Sequence, residues 1–93
     1  MESTYVYYPA KRVFKILSSA DLTKKGYKIL LDENKDMSLI VQKKSLFQKK
    51  HLFEINITPG KENISNITVN EVCRSAQTEK MEKELMQFLL RMF

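Results

Sequence analysis

Two lysine pairs, Lys43-Lys44 and Lys49-Lys50, bracket Ser45, Leu46, Phe47 and Gln48 in the stretch VQKKSLFQKKH, which contains no acid. Ammonium groups at that density around an aromatic residue suit anions. Each lysine near an acidic membrane contributes about 1 kcal/mol, and the same layout sets lysines on phosphates while Phe47 stacks on a base. Lys43, Lys44, Phe47, Lys49 and Lys50 are therefore the candidate anion-binding residues. Three partners fit: an acidic membrane surface, an acidic protein or a nucleic acid. A plainer role competes, in which Leu46 and Phe47 turn inward and the lysines protect an edge strand.

The remaining reactive residue types do not assemble into catalytic patterns. The chain has one His, one Cys and two Gly, so no glycine-rich loop wraps a phosphate and no Cys-x-x-Cys spacing holds zinc. His51 and Cys73 form a conceivable pair, yet a lone His at a strand start reads as a rim residue and Cys73 as a small half-buried hydrophobe. Asp32, Glu33 and Asp36 lack the Gly and terminal Glu of a calcium loop, and read as an exposed turn. No metal or cofactor is expected. The chain reads as a non-enzymatic interaction domain.

The charge supports that reading. The net value is +5, and between residues 11 and 61 twelve Lys or Arg face five acids, whereas residues 62 to 93 hold four against five. The positive field belongs to the first two thirds of the chain and attracts anions. Length predicts one domain over residues 1–93. No apolar run approaches the ~20 residues of a spanning helix. With no visible signal peptide and a single thiol, the expected location is cytoplasmic, with attachment at a membrane periphery as the variant.

The elements that must position these lysines follow from periodicity. TYVYY (4–8) reads as a first strand, and Val13, Ile16, Leu17 and Ala20 repeat as one face of a helix over about 9–25, closed by Gly26. Tyr27, Ile29 and Leu31 alternate as a second strand, and 38–43 returns after a polar turn. Phe53, Ile55 and Ile57 form one face of a strand over 52–58, and Ile67 and Val69 face inward from 64–73. A final helix runs from about 75 to 93, capped by Ser75 or Thr78, with Glu79 and Glu82 favourably placed near its N-terminus. The predicted fold is α+β in the order β-α-β-β-β-β-α: a mostly antiparallel sheet of four or five strands with two helices on one face.

In the last helix Met81, Leu85, Phe88, Leu89 and Met92 share one arc, and Met86, Leu90 and Phe93 widen it to about 200°. That exceeds what one sheet face needs. Met86, Leu90 and Phe93 are accordingly candidate interface residues, and a homodimer or oligomeric subunit assembling through this helix is the rival to the anion-binding reading.

The phrases VFKIL, KGYKILLDENKDMSLIVQKKSL, FEINITPG and NITVNEV give the whole chain a resemblance to small bacterial and archaeal β-α-β(n)-α domains of unknown function. The resemblance implies their fold and a bacterial, cytoplasmic or envelope-associated setting, and carries over no site residues. Those domains often have a Ser-Trp-Gly-like step where this chain has Phe47, Gln48 and Lys49. Through KGYKI and the alternating strands after it, the chain also resembles the kinase-associated domain that ends some eukaryotic protein kinases. That second resemblance implies two flanking helices, a four-stranded sheet and a basic surface of the kind that binds acidic phospholipid.

Overall fold

The computed structural model describes residues 1–44 and 50–93. Five strands, β1 (Glu2–Val6), β2 (Tyr27–Glu33), β3 (Ser38–Lys44), β4 (Lys50–Pro59) and β5 (Ser65–Glu71), form one open antiparallel sheet in the spatial order β1-β5-β4-β3-β2. Helix α1 (Ala10–Ser19) follows β1 and α2 (Thr78–Leu90) follows β5, so the chain runs β-α-β-β-β-β-α. The connection through α1 carries the chain from one sheet edge to the other, and β2 to β5 then return it strand by strand to β1.

Alternation decides the faces. Leu39 and Val41 of β3, Phe53, Ile55 and Ile57 of β4, and Ile67 and Val69 of β5 are buried on one face. Onto them α1 lays Val13, Phe14 and Leu17, and α2 lays Leu85, Met86 and Leu89. α1 lies against β4 and β5, and α2 against β5 and β1. The opposite face carries Tyr5, Glu54, Asn56, Asn66 and Thr68, partly or fully open to solvent.

Four local expectations are corrected. The first helix ends at Ser19, not near Lys25. The Ser18 and Ser19 hydroxyls donate back to the Lys15 carbonyl, and the Asp21 carboxylate accepts the Thr23 N–H at 3.1 Å, which starts a separate 3-10 turn over Thr23–Lys25. Gly26, at φ 81°, closes that turn instead of the helix. The first strand is Glu2–Val6, which leaves Tyr7 in solvent. In β2 the register slips between Ile29 and Leu31, so Leu31, expected inward, is 52% exposed. A single extra residue reverses every later side chain, and a bulge of this kind also blunts the exposed edge of the sheet.

The fourth correction concerns the wide arc of α2. Met86 is 5% exposed and belongs to the monomer core. Leu90 and Phe93 are half-buried against it, and the Phe93 ring meets Tyr8 with centroids 5.5 Å apart. Tyr8, which leaves β1 just before α1, supplies the wall that the helical wheel alone does not show. Met86 has a complete apolar environment within one chain.

Candidate anion-binding site

The end of the sheet where β3 finishes and β4 begins lies beside the first half of α2. Three adjoining clefts open there. The largest, about 520 Å³, is lined by Lys43 and Lys44 of β3, His51 of β4, and Gln77, Lys80, Met81 and Glu84 along α2. A second, about 230 Å³, shares Lys43 and Glu84 and adds Lys25, Tyr27, Phe88 and Arg91. The third, about 320 Å³, shares His51 and adds Lys50, Glu71, Cys73 and Arg74. Among the described residues, seven lysines and arginines thus line one strip, with Glu84 the carboxylate at the joint between two clefts.

Of the residues expected from the sequence, Lys43, Lys44 and Lys50 line this strip; Phe47 and Lys49 lie outside the described residues. Lys43 continues the buried row of β3 after Val41 and holds its ammonium 4.9 Å from the centre of the Tyr27 ring, an attraction between cation and π-face. Lys44, the next residue, is exposed. Lys25, Arg74, Lys80 and Arg91 join them from distant parts of the sequence: pairing of β2 with β3 brings Lys25, pairing of β5 with β4 brings Arg74, and the packing of α2 brings Lys80 and Arg91.

Beneath the strip is a buried polar network. His51 Nδ1 lies 2.8 Å from Glu71 Oε2, and the Thr78 hydroxyl donates to Glu71 Oε1 at 2.7 Å while accepting the Ser75 N–H at 2.6 Å. The Glu71 N–H in turn donates to Glu82 Oε2 at 2.7 Å, and Arg74 approaches the same oxygen at 3.3 Å. The Met1 ammonium is 2.8 Å from Glu82 Oε1, and no hydrogen bond from another described group reaches that oxygen. Thr78 therefore does not cap α2 in the expected way; its hydroxyl ties the helix start to β5. Glu82, near the helix N-terminus as expected, is only 1% exposed. Burial alone pushes its carboxyl pKa up, but the hydrogen bonds from the ammonium and the Glu71 N–H, with the charges of the ammonium and Arg74, outweigh burial and hold it below the usual carboxylate value. A signal for this network exists in the sequence: His51 extends the inward row of Phe53, Glu71 that of Ile67 and Val69, and Thr78, Glu82, Leu85 and Leu89 follow one helical stripe.

Tyr27 stacks on Phe88, with ring centroids 5.8 Å apart and planes 14° from parallel. Burial, and after it the Glu84 charge, push the Tyr27 phenol up to about 12 from 10.0. Below pH 10 both folded and unfolded chains keep this proton; above it the unfolded chain loses it first, so stability falls as pH rises towards about 12. The full contribution is about 2–3 kcal/mol. Denaturant unfolding on either side of pH 10 is expected to show a steeper alkaline loss for the wild type than for Tyr27→Phe. Equal slopes would show that this phenol does not resist ionisation.

Among the described residues, no three His, Cys, Asp or Glu come together as a metal site, and no helix is long and apolar enough to cross a membrane. No family model matches the chain, and no curated protein is significantly similar to it.

Proposed function

We propose that this domain is a non-enzymatic interaction module that holds an anionic partner, an acidic membrane surface or an acidic protein, against the strip of clefts between the β3–β4 end and α2. The observation that carries the reading is the convergence of Lys25, Lys43, Lys44, Lys50, Arg74, Lys80 and Arg91 on three clefts, the largest of which shares Lys43 and Glu84 with one neighbour and His51 with the other. Like charges crowded on one surface raise the energy of the free domain and are relieved by an anion. The rival reading, assembly through α2, loses Met86 to the core.

The test is cosedimentation with phosphatidylserine-rich vesicles, or titration with an acidic peptide, at low and high salt. Replacing Lys43, Lys44 and Lys80 together by Gln is expected to weaken binding about 100-fold, at about 1 kcal/mol per charge, with an unchanged circular dichroism spectrum. Binding should also weaken as salt rises. A wild type that ignores both acidic probes at low salt defeats the proposal, as does a triple variant that binds equally well. Oligonucleotide binding stronger than either would move the partner to nucleic acid.

A further inference from the structure

We infer that the cleft between β3 and α2 is a site for a phosphate monoester dianion, held by Lys44, Lys80 and the Nε2–H of a protonated His51. The inference rests on the anion-binding reading above and narrows it to one cleft and one ligand chemistry.

The tautomer of His51 comes first. Glu71 is 2.8 Å from Nδ1 through Oε2, and its other oxygen already accepts the Thr78 hydroxyl. An ionised carboxylate only accepts hydrogen bonds, so Nδ1 must carry the proton in that contact. Nε2 is then a lone pair in the neutral ring and a donor in the charged one. The side chain is 11% exposed and lines two of the clefts, so what surface it has faces the cationic strip. An anion resting on Nε2 is repelled by the neutral ring and accepted by the imidazolium. The charge state of one ring decides the site.

The groups facing His51 set the charge the ligand must bring. Lys43 and Lys44 approach from β3, Lys80 and Glu84 from α2, and Arg74 and Cys73 from the segment after β5; Lys50 precedes it on its own strand and Glu71 lies behind it. Among the described residues that line the larger cleft, three ammoniums against one carboxylate leave an excess of two positive charges, and the charge of the imidazolium is offset by the Glu71 carboxylate behind it. A compact dianion matches that excess. A phosphate monoester also presents three acceptor oxygens to three separate donors, whereas a carboxylate presents two. Lysine serves phosphate as a point charge, which suits a cleft whose described lining holds lysines and no arginine. A nucleic-acid strand fits less well: its diesters carry one charge each, and a backbone running from this cleft into the next would pass the Glu84 carboxylate at their joint. The cleft, about 520 Å³, also has room for the group esterified to the phosphate.

A monoester phosphate can come from a small soluble molecule or from a lipid headgroup, and the experiment separates the two. The protein is titrated with inorganic phosphate and, separately, inorganic sulfate, following the His51 imidazole and the Lys44 and Lys80 amides by NMR. All three are expected to shift saturably with one dissociation constant. His51→Asn, which removes the ring nitrogen that faces the cleft, should weaken both anions several-fold. Lys44→Gln, on an exposed side chain that does not threaten folding, should weaken both anions about five-fold. In a second arm, vesicles containing phosphatidic acid are compared with phosphatidylserine vesicles of equal charge. Preference for phosphatidic acid assigns the phosphate to a lipid, and phosphate binding without that preference assigns it to a soluble ester. Absence of a saturable shift at His51, or binding by His51→Asn or Lys44→Gln like that of the wild type, overturns the inference. Acidic vesicles bound without saturable phosphate binding would overturn it while leaving the broader anion-binding reading intact.

Discussion

Glu82→Ala is expected to lower the unfolding free energy by about 2–4 kcal/mol, a large part of the about 5–10 kcal/mol typical of a small domain. The cost does not come from its two cationic neighbours. Arg74 and the Met1 ammonium are each about half exposed and rehydrate when the carboxylate goes. It comes from the Glu71 N–H, which donates to Glu82 at 2.7 Å inside the fold and is left without an acceptor, and from the hole beside it. Glu82→Gln keeps an acceptor and the volume, and should lose about half as much. The pH dependence has a definite sign. A carboxyl held below its ordinary value of 4.5 contributes stability above that pH, and the contribution is lost as pH falls through the folded-state value. Urea midpoints below pH 4.5 are therefore expected to drop more steeply for wild type than for Glu82→Gln. An alanine variant as stable as wild type at neutral pH would remove the buried acceptor from this account.

Phe53→Ala should cost about 3–5 kcal/mol and bring the domain close to unfolding at room temperature. The ring is fully buried on β4, the central strand of the sheet, opposite Val41 on one side and Glu71 on the other. Neighbouring strands cannot close the space, because their own register holds them about 4.8 Å apart across the ladder. Glu54→Ala, the next residue on the open face, serves as the control and should stay within about 0.5 kcal/mol. Guanidinium unfolding of the pair distinguishes the two faces of one strand. Similar losses at both positions would contradict the assignment of faces.

These two residues mark how far the sequence can be read. Phe53 announces itself: it alternates with polar neighbours through Ile55 and Ile57, and period two admits one inward face. Glu82 follows the inward stripe of its helix as faithfully, with Thr78 before it and Leu85 and Leu89 after it, but a carboxylate in an apolar stripe is ordinarily assigned to solvent or to the helix dipole. The partners that make its burial tolerable are the Glu71 N–H, Arg74 and the Met1 ammonium, none of them on its own helix. Leu31 misleads in the opposite sense. Its alternation is regular in the sequence, and an extra residue at the bulge turns it outward. Met86 is surplus on a helical wheel until the fold surrounds it.

The candidate site divides in the same way. Lys43, Lys44 and Lys50 are visible as a local cluster, since they are near neighbours in sequence. Lys25, Lys80, Arg74 and Arg91 come from the turn before β2, from α2 and from the residues flanking that helix, and share clefts with the cluster only because strand pairing and the packing of α2 bring them to the same end of the sheet. What the sequence determined by itself is everything governed by local period and composition: the α+β order, the inward faces of β4 and β5, and the excess of positive charge. What only the tertiary structure decided is everything that depends on separations long in sequence and short in space. That set comprises the burial of Glu71 and Glu82, the place of Met86, and the gathering of scattered cations along one strip. The physical reason is one of range. Side-chain periodicity is set by backbone geometry a few residues at a time, whereas desolvation and charge pairing are set by whatever the completed fold places within a few ångströms.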